Sequence, residues 1–297
     1  VSKTKFELFN IGIVERETGI GKDTLRVWEK RYGFPLPIRD ERDDRFYPAE
    51  QVEKLHLIKR LLDSGMRPVK VVGLSMEELK CLLERLPQNQ AVPSDELLML
   101  FKLIKANQAN PLRLALSRSM LQQGLGDFLS KTLTPLNHLV GEAWMRGEIR
   151  IFEEHLYSQQ VTTVLSAVIA TLRDSNGSPR VLLTTLPGEA HALGLSMVEA
   201  TLSLSGAHCI MLGVQTPISE IVLAANTQQV DLVALSFSAA MTPAQIKIGL
   251  TKMRNALPQE VAIWAGGSGV SRHLTEGVWV VKSLFELTEA VGVWQAK

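Results

Sequence analysis

The stretch GEAHALG, residues 188–194, follows the apolar run RVLLTTLP and sets Glu189, His191 and Gly194 within six positions. A histidine on the loop leaving a buried strand points out of the carboxyl edge of a sheet, where open α/β folds bind their ligands. Two later strand ends carry small groups to the same edge. Ser236-Phe237-Ser238 begins after 41 intervening residues from Gly194, and Gly266-Gly267 after 27 more from Ser238. The edge thus gathers a basic ring nitrogen, two hydroxyls and a glycine pair with no side chains. A lone histidine in such a loop is most often structural; the three pieces in order single this one out.

A second constellation lies near the N-terminus. FNIGIVERETGIGKDTLRVWEKRYGFP places a helix over about Ile11–Thr18, a turn at Gly19-Ile20-Gly21 and a helix from Lys22 to Tyr32. That is helix-turn-helix spacing. The second helix offers Lys22, Thr24, Arg26, Lys30 and Arg31 to base edges and phosphates. Pro35 and Pro37 lead into IRDERDDRFY, a charged excursion that forms a wing, and AEQVEKLHLIKRLLDSG forms a helix behind it. A third constellation, GEAWMRGEIRIFEEHL, brings Trp144 and the pair Glu154-His155 to the two ends of one helical hairpin.

The elements that position these groups fall into three segments: 1–85, 94–174 and 178–297. The break LPQNQAVPS separates the first two and DSNGSP the last two. The middle segment shows only helical periodicity, in four runs with short connections, which reads as an up-down four-helix bundle. The last alternates apolar strand-like runs (RVLLTTL, HCIMLGV, DLVALSF, VAIWAGG and a weaker VWVV) with helices, the pattern of a flavodoxin-like, doubly wound parallel sheet. The expected fold class is therefore multidomain α and α/β: a winged helix-turn-helix, a four-helix bundle and a Rossmann-like sheet domain.

Bulk properties narrow the partners. The 297 residues suffice for two or three domains. With 45% hydrophobic and 21% charged residues the composition is that of a soluble globular protein, and a net charge of +1 supplies no general field for nucleic acid. Residues 1–80 carry 16 Lys/Arg against 14 Asp/Glu, a surplus of two, so DNA binding must come from local placement. Cys81 and Cys209 form no CxxC pair, which argues for a reducing compartment and against a disulfide framework or zinc site. Without a run of about 18 apolar residues no membrane partner is expected, and the cytoplasm is the expected location.

Three resemblances follow from these residues. Ile11-Gly12, Thr18-Gly19, DTLRVWEKRYG (23–33), Arg45-Phe46-Tyr47 and KLHLIKRLLDSGM resemble, in order and spacing, the DNA-binding domain of the MerR family of regulators. The resemblance implies a winged helix-turn-helix that binds operators as a dimer, with Lys22 and Arg26 on DNA from the recognition helix and Arg45 and Tyr47 touching the backbone from the wing. Asp43 and Asp44 depart from it, standing where relatives have a glycine-bearing turn. Glu189-x-His191-x-x-Gly194, Ser236-x-Ser238 and Gly266-Gly267 resemble the cobalamin-binding domain shared by methionine synthase and the mutases. Here the resemblance implies His191 as the lower axial cobalt ligand, Glu189 on its other ring nitrogen, and the serines and glycines around the displaced nucleotide tail.

With W-x9-E-H added, nearly the whole chain resembles the CarH/LitR light-sensing regulators. That implies a non-enzymatic repressor using adenosylcobalamin, with Trp144 over the adenosyl group, Glu154 accepting from its ribose and His155 assisting. Its partners would be double-stranded operator DNA, further copies of the chain as dimer or tetramer, and RNA polymerase at the promoter. Well-known members carry a histidine after the tryptophan; this chain has Met145, a weaker cobalt ligand, so water, His155 or His138 would take the position vacated after light. Two alternatives differ in mechanism. One is a regulator answering a protein partner through a vestigial pocket; the other is a corrinoid methyl-carrier protein, which has no use for a helix-turn-helix. Ordinary MerR-type sensing of metal or drug would need a cysteine pair or aromatic pocket that the chain lacks.

Overall fold

A computed structural model describes residues 8–63, 66–84, 93–172, 176–238, 241–270 and 275–296. Residues 86–92 of the first expected break and 174–175 of the second lie outside the described residues. By spatial contacts the chain divides into two units, Val1–Val92 with Glu142–Glu148, and Pro93–Gly141 with Ile149–Lys297. The expected helical and sheet segments thus fall in one unit. The turn ending at Glu148, expected in the bundle, groups instead with the N-terminal unit.

In the first unit, strand β1 (Leu8–Asn10) leads into α1 (Ile11–Thr18), which Asn10 caps by accepting from the Ile13 N–H at 2.9 Å. Gly19, at φ +67°, ends α1 in the left-handed region that only a side-chain-free residue enters cheaply, and α2 (Lys22–Tyr32) follows. Strands β2 (Ile38–Arg39) and β3 (Arg45–Pro48) form the wing, and β1 pairs on the other edge of β3, giving the order β1-β3-β2. This third strand is an addition to the expected wing. Helix α3 (Ala49–Asp63) lies behind, followed by α4 (Pro68–Val71) and α5 (Met76–Glu84). Val14, Leu25, Trp28, Tyr47, Leu55, Ile58 and Leu61 share one core.

The second unit opens with α6 (Asp95–Lys105) and α7 (Ala109–Gln123). The third helical run is continuous but changes winding: α8 (Leu125–Asp127), a π-helical segment (Phe128–Leu133), then α9 (Thr134–Met145). The widened turn ends two residues before Pro135, which brings no N–H to the helical ladder. Helix α10 (Ile151–Leu172) packs on α6 and α7, completing the four expected helical runs.

The sheet domain alternates β4 (Arg180–Thr184), α11 (Leu193–Leu204), β5 (His208–Gly213), α12 (Ile218–Thr227), β6 (Leu232–Ser236), α13 (Pro243–Ala256), β7 (Ala262–Gly266), β8 (Trp279–Val281) and α14 (Leu284–Gln295). All pairings are parallel and the order is β5-β4-β6-β7-β8, the flavodoxin-like arrangement. Strand alternation sorts the core. Leu182, Val233, Leu235 and Ile263 pack with Ile221, Ile246 and Leu250 on one face. On the other, Val181, Leu183, Leu232 and Trp264 pack with Leu195, Leu202 and Leu287. Each fully buried aliphatic side chain contributes about 1.5–3 kcal/mol, so the sheet is a rigid platform. Its carboxyl edge lies beside the point where strand order reverses, between β4 and β6.

Candidate functional site

The loop after β4 is built around a buried carboxylate. The Thr185 hydroxyl donates to the Glu189 carbonyl at 2.6 Å and accepts from the Gln215 N–H at 2.8 Å, pinning both loop limbs. The Glu189 side chain is fully buried yet receives four hydrogen bonds. Its Oε1 accepts from the His191 N–H at 3.0 Å and pairs with His191 Nδ1 at 2.7 Å. Its Oε2 accepts from the Ser238 N–H at 2.7 Å and from the Ser238 hydroxyl at 2.8 Å. Burial alone would push this carboxyl up; the bonds from His191 and Ser238 outweigh it and hold the group below its usual range.

The His191 side chain is 61% exposed. Its Nδ1 faces Glu189 and, at 3.0 Å, the Ser238 hydroxyl. The Glu189 contact raises the imidazole pKa, against burial, with the Glu154 charge adding to the rise. A carboxylate on Nδ1 keeps a proton there, so the neutral ring presents the lone pair of Nε2 outward.

The small residues close the edge. A Cβ on Gly194 would stand 2.9 Å from Ser236 Oγ, so the start of α11 lies close against the end of β6 and a side chain at residue 194 would make the Ser236 hydroxyl turn away. A Cβ on Gly267, at φ +107°, would stand 2.2 Å from the Phe237 carbonyl. The bare α-carbon of Gly267, expected to leave room for a ligand, is therefore already accounted for by backbone packing on the β6 loop. Gly266 donates no side chain either; its carbonyl accepts from the Phe237 N–H at 2.9 Å. Gly267→Ala should lower stability by about 2–3 kcal/mol, the combined cost of strain and a backbone shift, measured by urea unfolding. An unchanged midpoint would refute the close approach.

Among the described residues no three His, Cys, Asp or Glu gather to hold a metal ion. One outward imidazole, anchored from behind, is instead a donor set for a metal that brings its other ligands in a macrocycle. These residues fit a corrinoid.

On α10, Glu154 accepts from the Ser158 hydroxyl at 2.6 Å and pairs with His155 Nδ1 at 2.7 Å, leaving the His155 side chain exposed. Tyr157, one turn on, is buried, donates to Asn137 Oδ1 and has its pKa raised by burial. The Asn137 amide reaches Met197 Sδ at 3.0 Å, tying α9 to α11. These linking residues carry no sequence motif.

Trp144 stands elsewhere in the contact pattern. Its carbonyl accepts from Arg60 Nη2, its ring lies 5.4 Å from the Arg60 guanidinium, and His56 meets it edge-on at 6.0 Å. Arg60 is 6% exposed, its Nε and Nη1 have no hydrogen-bond partner among the described residues, and burial lowers its pKa to about 10. Burial, with the Arg60 charge, pushes His56 down to about 4. The unfolded chain therefore takes up a proton that the folded one refuses between about pH 6.5 and 4, and stability falls as pH drops through that window. His56→Gln should flatten that part of a urea-unfolding series against pH; an unchanged slope would contradict the buried neutral ring. The Met145 side chain lies outside the described residues, and His138 is exposed on α9.

On the N-terminal unit, α2 buries Leu25 and Trp28 and exposes Thr24, Arg26, Lys30 and Arg31, with Lys22 half-exposed. Lys22 pairs with Glu15 at 3.3 Å and Arg26 with Asp23 at 2.9 Å. Arg45 is mostly buried, its Nε 2.9 Å from Glu29. Tyr47, expected on the DNA backbone, is fully buried. Strand alternation explains the difference: β3 pairs Tyr47 with Phe9 and turns its ring into the core. In this conformation it cannot touch DNA. No helix is long and apolar enough to cross a membrane among the described residues.

Comparison with known proteins agrees with this layout. Residues 9–85 match the MerR HTH family of regulatory proteins, and residues 179–288 match the B12 binding domain. The HTH-type transcriptional repressor CarA of Myxococcus xanthus is 28% identical over 96% of this chain and 95% of its own length. The repressor CarH of the same organism is 27% identical over 89% of this chain and 90% of its own. Among solved structures, the monomethylamine corrinoid protein of Methanosarcina barkeri superposes with a TM-score of 0.53 at 19% identity, covering 66% of this chain and 96% of its own, a likeness of fold.

Proposed function

We infer that this chain, which carries a MerR-type helix-turn-helix domain and a B12-binding domain, is a cobalamin-dependent DNA-binding transcriptional regulator rather than an enzyme. Its likeness to CarA and CarH over nearly the full length supports that reading. We further propose that it is a repressor in the dark, that adenosylcobalamin is its ligand, and that light releases it from operator DNA. The observation that carries the cobalamin reading is the outward Nε2 of His191, with Nδ1 held 2.7 Å from a fully buried Glu189.

In this reading His191 would hold the cobalt, Glu189 fixes its tautomer, and Ser238 fixes Glu189. Ser236, Gly194, Gly266 and Gly267 shape the edge where the nucleotide tail enters. Glu154 would accept ribose hydroxyls, with His155 beside it in support. When bound, adenosylcobalamin supplies a cobalt–carbon bond that visible light breaks. What the chain contributes is a difference in affinity between two poses of its helices, without which no ligand shifts an equilibrium.

The pose sets the surface for self-association. Lys22 and Arg26 already have acidic neighbours, so single DNA-binding domains hold DNA weakly and a dimer or tetramer gains by avidity. An operator held at a promoter excludes or redirects RNA polymerase. The test is the mass of the adenosylcobalamin-loaded chain by size-exclusion light scattering, in darkness and after green light. A fall in mass supports the light-gated assembly; identical masses with a bleached spectrum would overturn it.

A further inference from the structure

Arg39 sits on β2 with its guanidinium forked between two carboxylates. Nη2 lies 3.1 Å from Glu29 Oε1 on α2. Nη1 lies 2.7 Å from both oxygens of Asp43 at the wing tip. Glu29 also takes Arg45, through Nε at 2.9 Å.

The four groups are not equally exposed. Glu29 and Arg45 are each 19% exposed, whereas Arg39 is 39% and Asp43 74% exposed. Glu29 and Arg45 form the half-buried clasp that fixes the wing to the recognition helix. Arg39 is aimed by Glu29 from behind and closed by Asp43 in front. Asp43 occupies the left-handed region at φ +63°, which brings its carboxylate back over Arg39 across the turn. The turn itself is held by Asp40, whose Oδ1 accepts from the N–H groups of Arg42 at 2.9 Å and Asp44 at 2.8 Å.

A planar guanidinium takes phosphate and carboxylate in the same forked way. An exposed pair of this kind is weak and exchanges readily. We propose that Arg39 is a phosphate-binding residue of the wing, and that Asp43 is an internal occupant of its anion position which DNA displaces. The carboxylate that phosphate expels stays tethered beside the backbone, where it repels it. The wing therefore limits the affinity of each single domain by its own chemistry. This inference rests on the DNA-binding reading of the N-terminal unit and adds to it a residue and a brake.

Asp43→Asn is the clean perturbation, because asparagine keeps the shape, tolerates positive φ and removes only the charge. The probe is a mixed-sequence DNA duplex, and the readout is fluorescence anisotropy with the full chain over a range of salt. Such binding depends on phosphate contacts alone, and its salt slope counts them. Asp43→Asn should tighten binding about threefold to tenfold at low salt. Arg39→Gln should weaken it and reduce the salt slope by about one. In the Arg39→Gln background, the gain from Asp43→Asn should shrink to the small direct repulsion.

Several results would overturn the proposal. One is an Asp43→Asn chain that binds no more tightly, or less tightly, than the unsubstituted one, since Asp43 would then organise Arg39 for DNA rather than compete for it. Another is an Arg39→Gln chain with an unchanged slope. Failure of the unsubstituted chain to bind duplex at all, even at low salt, would overturn the DNA-binding reading and this inference with it. Circular dichroism of each variant separates a binding change from a folding change, and both positions are exposed enough to keep the fold.

Discussion

His191→Ala should cost the chain at least about a hundredfold in affinity for cobalamin while leaving its unfolding midpoint nearly unchanged. The two halves of that expectation have separate causes. The imidazole is exposed, so little packing is lost with it. Glu189 also keeps three of its four donors, the His191 backbone N–H and both groups of Ser238. On the proposed reading, cobalt by contrast loses the nitrogen that His191 would offer it. Substitutions behind a metal ligand already cost about 10–100-fold, and removing the ligand itself exceeds that. Absorption spectroscopy after equilibrium dialysis reads both affinity and ligation. A histidine-ligated spectrum retained by the alanine variant would remove His191 from cobalt.

Glu189→Gln should act on stability and cofactor together. The buried carboxylate meets four donors with two acceptor oxygens. An amide of the same volume offers one oxygen and one NH2. If the oxygen turns to Ser238, the NH2 confronts the His191 N–H and Nδ1, and the ring can satisfy it only by moving its proton to Nε2. That is the tautomer with no lone pair for a metal. If the oxygen turns to His191, the NH2 confronts the Ser238 N–H, donor against donor, in a part-buried site. Either way the expected loss is about 1–3 kcal/mol of folding stability and about 10–100-fold in cobalamin affinity. Urea unfolding and the same dialysis check it. A variant with wild-type stability and affinity would show that the network is incidental.

The parts of this molecule that were legible from sequence are those where one residue type suffices to state its own environment. The first four strands of the sheet domain read directly as apolar runs broken by turns, and the central ones among them, such as RVLLT, are buried on both faces. The helix-turn-helix was legible through Gly19, whose positive φ the turn requires. Glu189 and His191 were legible as a pair because two residues on one loop can meet without help from the fold. Ser238 joined them in the sequence only by its place at another strand end; that it holds Glu189 with both N–H and hydroxyl is a tertiary fact.

What was not legible depended on distant approach or on very short elements. Three residues, Leu8–Asn10, are too few to announce a strand, yet β1 fixes the register that buries Tyr47. Reading IRDERDDRFY as a charged wing with Tyr47 on the DNA backbone missed the alternation that turns that ring inward. Arg60 meets Trp144 across 84 positions of sequence, and nothing in either local pattern foretells a buried arginine beside that tryptophan. The boundary at Glu142–Glu148 was missed for the same reason. Helical periodicity assigned the last turn of α9 to the bundle, whereas its neighbours in space are in the N-terminal unit. Gly267 was legible as a residue that needs no side chain, but its reason proved to be the Phe237 carbonyl.

The central claim, that a cobalamin site governs DNA binding in this chain, is tested most directly by one titration in darkness. The full chain, free of cofactor, would be added to promoter DNA from upstream of its own gene with and without adenosylcobalamin, and DNA retention followed by gel shift. Retention at lower protein concentration when adenosylcobalamin is present is the expected result. Superimposable retention curves, from a chain shown by its absorption spectrum to have bound the cofactor, would contradict it.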